Sequence, residues 1–165
     1  MLEIGFEAFK GCSALEEISI PFTGHKQDGD TYNNFGYIFG AENYKAQINN
    51  SPIPTSITKV IITGDQTKLV NGTFHSCKSI QQIILPSTLK EIGSWMFANC
   101  SSLTSLIIPS SAEIIGKNLI YGCSSLKELT IPFVGARKEP RQNEPLYPFG
   151  YLAMEKNVNT KFYTI

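Results

Sequence analysis

The chain has 165 residues, of which 42% are hydrophobic, 17% charged and 11% aromatic, a composition typical of a globular protein that buries a core. Lys and Arg together number 14, as do Asp and Glu, so the formal net charge is zero. Because the sequence also has no basic cluster, it argues against nucleic acid or an anionic membrane surface as a partner. No apolar run reaches the roughly 18 residues of a membrane span, so we expect no direct membrane insertion, and the first residues do not resemble a signal peptide.

A unit of about 23 residues recurs along the chain and is marked by cysteine and proline. Numbered from each cysteine as position zero, Phe or Ile stands at minus three, Leu or Ile at plus three, plus six and plus eight, and Pro at plus nine. In the second copy Pro54 takes the place of the cysteine. The five repeats lie around residues 2–21, 54–63, 69–86, 92–109 and 115–132.

The second half of each repeat alternates between apolar and other side chains, which predicts a short β-strand. Positions plus six and plus eight then face a core, and positions plus five and plus seven face outward. Because the strands recur every 23 residues or so outside the insertion, and four of the five end at a proline, the pattern predicts a solenoid with one parallel β-sheet, closed by irregular or short helical return segments. A single repeat cannot bury its own apolar face, so stability comes from stacking on its neighbours.

Two segments interrupt this period. Residues 22–53 form an insertion rich in aromatic side chains, which we expect to be the core of the insertion itself, although aromatic loops also bind glycans or proteins. Residues 133–165 read as a second copy of the insertion and the start of a further repeat, because IPFTG at 20–24 recurs as IPFVG at 131–135 and FGY at 35–37 recurs at 149–151. We therefore expect residues 1–165 to be a single solenoid and a fragment of a longer protein.

The repeats LTSLIIPSSAEIIGKNLIYGC and IQQIILPSTLKEIGSWMFANC resemble the BspA-type leucine-rich repeat, over about 2–21 and 54–132. The resemblance departs locally at Met96 and Ile120, and at Val70–Asn71, which replaces Ile–Gly. It implies an α/β-type repeat solenoid, the right-handed superhelix or horseshoe of leucine-rich repeat proteins. It also implies a cell-surface or secreted protein with a role in adhesion, located outside the cell.

The four cysteines raise the question of a metal site, disulfides or packing. Metal-binding cysteines usually occur in close pairs, which these do not. Equivalent side chains in stacked repeats point in parallel, a poor geometry for disulfides. The spacing therefore predicts a structural ladder of buried thiols without metal or cofactor, formed by Cys12, Cys77, Cys100 and Cys123.

The outward face of the predicted sheet is the candidate binding surface. Three isoleucines occupy position plus seven of neighbouring repeats, and polar side chains occupy position plus five beside them. The candidate partner-binding residues are Ile61, Ile84, Ile107, Lys59, Gln82 and Ser105. An exposed apolar row often marks a contact, but isoleucine also suits strands in general, and the insertion could pack across this face.

These features favour a non-enzymatic protein-interaction or adhesion module. The expected partner is a host matrix protein or a protein of a neighbouring cell surface, with a glycan as a second candidate and no role for nucleic acid. The alternative is a structural spacer or stalk that presents another domain. We expect no enzyme activity, because the local sequence around His25 and His75, the two histidines, suggests no catalytic set.

Overall fold

Parallel strands stack into a solenoid in the computed structural model, which describes residues 2–29, 32–139 and 152 and the backbone of 161–164. The strands described are β1 (Glu17–Ile20), β2 (Lys59–Ile62), β3 (Lys68–Leu69), β4 (Gln82–Ile84), β5 (Glu91–Ile92), β6 (Ser105–Ile107), β7 (Ile114–Ile115), β8 (Glu128–Ile131) and β9 (Lys161–Thr164). The order β1-β2-β4-β6-β8-β9 forms a six-stranded sheet, and β3-β5-β7 forms a three-stranded sheet. All neighbouring strands described are parallel, with equivalent positions of successive repeats in register, as for Val60 with Ile83 and Leu106 with Leu129.

The predicted repeat solenoid is confirmed, and its predicted sheet is the six-stranded one. The three-stranded sheet is an addition that the sequence pattern did not indicate. Its strands are two residues long and lie in the return segments, so they are too short to produce an alternation of apolar and polar residues.

The core lies between the two walls of the solenoid and is built from equivalent side chains of successive repeats. Val60, Leu106 and Leu129, all at position plus six, are fully or almost fully buried. The rings of Phe74 and Phe97, at minus three, stack with centroids 5.8 Å apart and planes 10° apart. Burial of a side chain of this size is worth about 1.5–3 kcal/mol, and each repeat obtains that burial only by stacking on the next.

In the last two repeats the return segments approach the preceding ones so closely that position minus seven has no room for a side chain. A Cβ atom added at Gly93 would lie 2.5 Å from the backbone nitrogen of Asn71, and one added at Gly116 would collide with the backbone nitrogen of Ser94. Val70 holds this position in the third repeat, directly after β3, which is an edge strand of the three-stranded sheet. The side chain is tolerated there because no described strand stacks on its outer side.

The described residues of the insertion include a 3-10 helix, Phe35–Phe39, and a short α-helix, α1, Tyr44–Asn49. It lies in line with the return segments. The backbone N–H of Phe35 donates to the carbonyl of Thr73 over 2.8 Å, as the N–H of Phe74 donates to Met96 over 3.0 Å in the next repeat. The insertion thus supplies the hydrogen bonds of a return segment to the third repeat.

The buried side chain of Gln47 supplies one more of the hydrogen bonds that a return segment would make. In the third repeat the N–H of Ser76 donates to the carbonyl of Ala98, whereas no backbone N–H among the described residues of the insertion donates to the equivalent carbonyl, that of His75. Instead, Nε2 of Gln47 donates to the carbonyl oxygen of His75 over 2.6 Å, while its Oε1 accepts from the N–H of Gly36 over 2.6 Å. An amide side chain therefore imitates the backbone of a return segment.

Two segments far apart in sequence make equivalent contacts. The N–H of Ile4 donates to the carbonyl of His25, and that of Ile115 donates to Ala136, both over 2.9 Å. Most of the predicted second copy of the insertion, including FGY at 149–151, lies outside the described residues. The division of the chain into repeats, insertion and second copy therefore stays a prediction.

Among the residues that the structure describes, no helix is long and apolar enough to cross a membrane.

Candidate binding surface

The outward face of the six-stranded sheet carries the row of isoleucines at position plus seven. Ile107 is 64% exposed and Ile84 is 40% exposed, whereas Ile61, on the same outward face, is half-buried. Ile61 is paired in the ladder on both sides, with Ser19 and with Ile84, so its neighbours cover much of its side chain.

The ladder opens between β4 and β6. These two strands, both fully described, are paired at one position, Gln82 with Ser105. A cleft of about 230 Å³ lies at this opening and is lined by Ile84, Ile107, Gln82 and Ser105, together with Ser87 and Pro109 among others. Four of the six predicted partner-binding residues therefore meet at one apolar depression with a polar edge.

The remaining two predicted residues, Ile61 and Lys59, do not line this cleft. Lys59 instead forms an ion pair with Glu17 on the neighbouring strand, with Nζ 3.1 Å from each carboxylate oxygen. Since both side chains are partly exposed, this pair contributes little to stability.

The described contacts of the insertion do not cover the isoleucine row. Phe35 packs on Phe74, with ring centroids 5.3 Å apart, and Phe39 lies 6.2 Å from Phe9. These partners belong to the return segments, on the other wall of the solenoid. The exposed row is therefore open to solvent in the part of the chain that the structure describes.

Three of the four cysteines form the predicted ladder of buried thiols. Sγ of Cys100 donates to the carbonyl oxygen of Phe74 over 3.1 Å, and Sγ of Cys123 donates to that of Phe97 over 3.0 Å. Cys77 is also buried. Burial raises the pKa of the thiols of Cys100 and Cys123, which keeps both protonated.

The prediction for Cys12 is wrong, because this residue is exposed. Each buried thiol is covered by the return segment of the repeat before it, or by the insertion in the case of Cys77. Cys12 belongs to the first repeat, where no described residue supplies an equivalent cover. The described residues also contain no group of three His, Cys, Asp or Glu side chains that could hold a metal ion.

The aromatic side chains of the insertion divide into two groups. Phe35, Tyr37 and Phe39 are buried and form its core, as expected. Tyr32 and Tyr44 are exposed, 53% and 39% respectively, and they lie at a second cleft of about 420 Å³ between the insertion and the third repeat. Both tyrosines were expected to belong to the core of the insertion, and the signal that distinguishes them from the buried aromatics is the polar sequence around each.

The cleft beside the insertion also contains polar residues that no motif of the sequence indicated. Its lining includes Glu42, Asn43 and Asn71. Asn71 lies in the third repeat, at the place where Val70–Asn71 departs from the repeat pattern. That departure was visible in the sequence, but its closeness to the insertion was not.

Comparisons with known proteins agree with this architecture. Two solved structures show the same fold: a leucine-rich repeat protein from Bacteroides ovatus has a TM-score of 0.51 at 23% identity, over 95% of this chain and 38% of its own. The leucine-rich repeat protein of T. pallidum has a TM-score of 0.50 at 23% identity, over 80% of this chain and 53% of its own. The chain thus spans about half, or less, of these two relatives, and it matches no curated protein sequence.

A family model of the BspA type leucine rich repeat region matches residues 1–37 and 53–135, in six copies. The matched residues make up well over half of the chain and include every strand from β1 to β8. The chain therefore belongs to the BspA-type leucine-rich repeat family.

Proposed function

We propose that this protein is a non-enzymatic interaction module that binds a partner protein through the exposed face of its six-stranded sheet. Leucine-rich repeat proteins are generally protein-interaction modules and are typically non-enzymatic. The observation that carries the proposal is the pair of exposed isoleucines, Ile84 and Ile107, at the cleft where the ladder between β4 and β6 opens.

The size of the available apolar contact supports a specific interaction. Full burial of an isoleucine side chain is worth about 1.5–3 kcal/mol. Because Ile107 is 64% exposed in the free protein, its burial by a partner contributes on the order of 1–2 kcal/mol, which changes affinity by about five- to thirtyfold. Ile107 is therefore the best single candidate for a residue that dominates binding.

The chemistry of the cleft favours an extended segment of a protein as the ligand. An apolar side chain of the partner fits between Ile84 and Ile107, and the side chains of Gln82 and Ser105 offer a hydrogen-bond donor and acceptors at its edge. Such a combination of apolar depression and polar edge is common at sites that bind peptides and proteins.

The cellular location of the family's members suggests where the partner is found. BspA-type leucine-rich repeat proteins are typically surface or secreted proteins. We infer that the partner is a host matrix protein or a protein of a neighbouring cell, so that binding produces adhesion.

The test uses a panel of purified extracellular-matrix proteins, immobilised one by one, with the folded chain as analyte in biolayer interferometry. We expect at least one to bind, and Ile107→Asp to weaken that binding tenfold or more, because a carboxylate in the apolar cleft must be desolvated. Ser19→Asp is the matched control, since it introduces the same charge at the same repeat position on β1, outside the cleft. Equal loss of binding in both variants would contradict the assignment of the cleft.

A structural spacer is the second candidate. It is favoured by the outward positions on either side of the isoleucines, where Ser19, Thr130 and Glu128 are polar side chains with no shared chemistry. If the folded, monomeric chain binds none of the matrix proteins, the spacer becomes the better explanation.

A further inference from the structure

We propose that the cleft beside the insertion binds a neutral saccharide. The cleft, about 420 Å³ in volume, lies between the insertion and the return segment of the third repeat, and its lining includes Tyr32, Tyr44, Glu42, Asn43 and Asn71. It is separate from the cleft on the six-stranded sheet, because the two clefts have no lining residue in common. The proposal is therefore independent of the proposed protein-binding face.

The two tyrosines supply flat apolar surfaces at the cleft. Tyr32 and Tyr44 are 53% and 39% exposed. The ring of Tyr44 rests against the backbone of Gly72, where an added Cβ atom would lie 3.1 Å from its Cδ2 atom, so the third repeat holds the ring in place. A fixed and partly exposed aromatic ring can pack against the C–H face of a sugar while its hydroxyl bonds to water or ligand.

The two asparagines supply oriented hydrogen-bond donors. Oδ1 of Asn43 accepts the N–H of Ala46 over 3.0 Å, and Oδ1 of Asn71 accepts the N–H of Ser94 over 2.7 Å. These bonds occupy the carbonyl side of each amide and leave the NH₂ group as the side available to a ligand. Two such donors at the edge of an aromatic surface suit the hydroxyl oxygens of a sugar.

The charge of the cleft indicates a neutral ligand. Glu42 is the acidic side chain among its lining residues, which are all described, and no Lys, Arg or His is among them. A carboxylate accepts hydrogen bonds from sugar hydroxyls, but it repels phosphate, sulfate and carboxylate groups. Acidic saccharides and phosphorylated ligands are therefore disfavoured.

The cleft continues into a neighbouring depression, which leaves room for more than one sugar unit. This second depression, of about 330 Å³, shares Val70 and Asn71 with the first and follows the three-stranded sheet past Lys68 and Glu91. An oligosaccharide could thus extend from the tyrosines along the return segments.

Saturation-transfer NMR on the folded chain tests the proposal. The probes are lactose, chitobiose and methyl mannoside as neutral saccharides, N-acetylneuraminic acid as an acidic one, and a proline-rich peptide as a non-sugar. We expect saturation of at least one neutral saccharide, chiefly at its ring C–H protons. Tyr44→Ala should weaken this binding about tenfold or more, whereas Tyr44→Phe, which keeps the ring, should retain most of it.

Ile107→Asp serves as the control for general damage, because it alters the other cleft and should leave saccharide binding unchanged. Circular dichroism checks that every variant remains folded. The proposal is overturned if no neutral saccharide receives saturation, if only the acidic saccharide or the peptide does, or if folded Tyr44→Ala binds as well as the unchanged chain.

Discussion

Replacement of Gly93 by alanine is the most direct test of how the return segments stack. An added Cβ atom at this position would lie 2.5 Å from the backbone nitrogen of Asn71 and 2.6 Å from the backbone carbonyl carbon of Val70. Both are backbone atoms, so no side-chain rotation can relieve the contact. Gly5 occupies the same position in the first repeat, and there an added Cβ atom meets nothing within 4 Å.

The two substitutions should therefore change the free energy of unfolding in opposite directions. Alanine in place of glycine restricts the unfolded chain, which stabilises a protein by about 0.4–1 kcal/mol wherever the folded state accepts the side chain. At Gly5 this gain stands alone. At Gly93 the backbone of two repeats must separate, and overpacking of this kind costs about 1–3 kcal/mol. We expect Gly93→Ala to lower the free energy of unfolding by about 1–2 kcal/mol.

Urea unfolding followed by circular dichroism measures both variants, with the slope of the transition compared to verify that the unfolded state is unchanged. The expected result is a lower midpoint for Gly93→Ala and an equal or higher midpoint for Gly5→Ala. A shift of the same sign and size in both would refute the idea that backbone contact between repeats, rather than conformational preference, requires glycine at this position.

Three further predictions follow from buried polar groups. Cys100→Ser should lower the free energy of unfolding by about 1–2 kcal/mol, because the hydroxyl keeps the carbonyl of Phe74 as an acceptor but must be desolvated. Cys12→Ser, at an exposed site, should leave the free energy of unfolding almost unchanged. A thiol reagent should modify Cys12 alone until denaturant is added. Burial lowers the pKa of His75, so as the pH falls below the ordinary value of 6.5 the unfolded chain takes up a proton before the folded chain does. The free energy of unfolding should therefore fall as the pH falls from 6.5 towards the lowered pKa, and His75→Gln should flatten this dependence in urea titrations at several pH values. Gln47→Leu should cost about 2–4 kcal/mol, because it leaves the carbonyl of His75 and the N–H of Gly36 without this amide, and a midpoint unchanged from that of the original chain would disprove the structural role of Gln47.

Regular features of the sequence predicted the regular part of the structure. Alternation around Val60 and Leu106 identified strands of the six-stranded sheet, and the proline that follows the run around Leu106 marked where that strand ends. Glycine stands at position minus seven in three of the four repeats that contain cysteine, with Val70 as the exception. The reason at Gly93 and Gly116 is close contact with the backbone of the preceding repeat, a property of stacking that one repeat cannot reveal.

The irregular features were not predictable either, because they depend on contacts between residues that are far apart in the sequence. Gln47 replaces backbone hydrogen bonds with side-chain bonds to residues 26 and 28 positions away, and no local pattern encodes such a contact. Ile61 is less exposed than Ile84 and Ile107 because strands pair with it on both sides, and the burial expected for Cys12 is absent because cover comes from the preceding repeat. In each case the outcome depends on neighbours in space that the repeat pattern treats as identical.

Both proposed binding sites lie where the repeats depart from regularity, and this gives a joint test of the two. The opening between β4 and β6 exposes Ile107, and the insertion places Tyr44 against the third repeat. Because the residues lie in different clefts, their effects should be separable: Ile107→Asp should impair binding of the partner protein and spare the saccharide, and Tyr44→Ala should do the reverse. Substitutions at distant sites without shared partners usually act independently, so if one variant abolished both activities while folded, a single surface spanning the two clefts would replace the two separate sites.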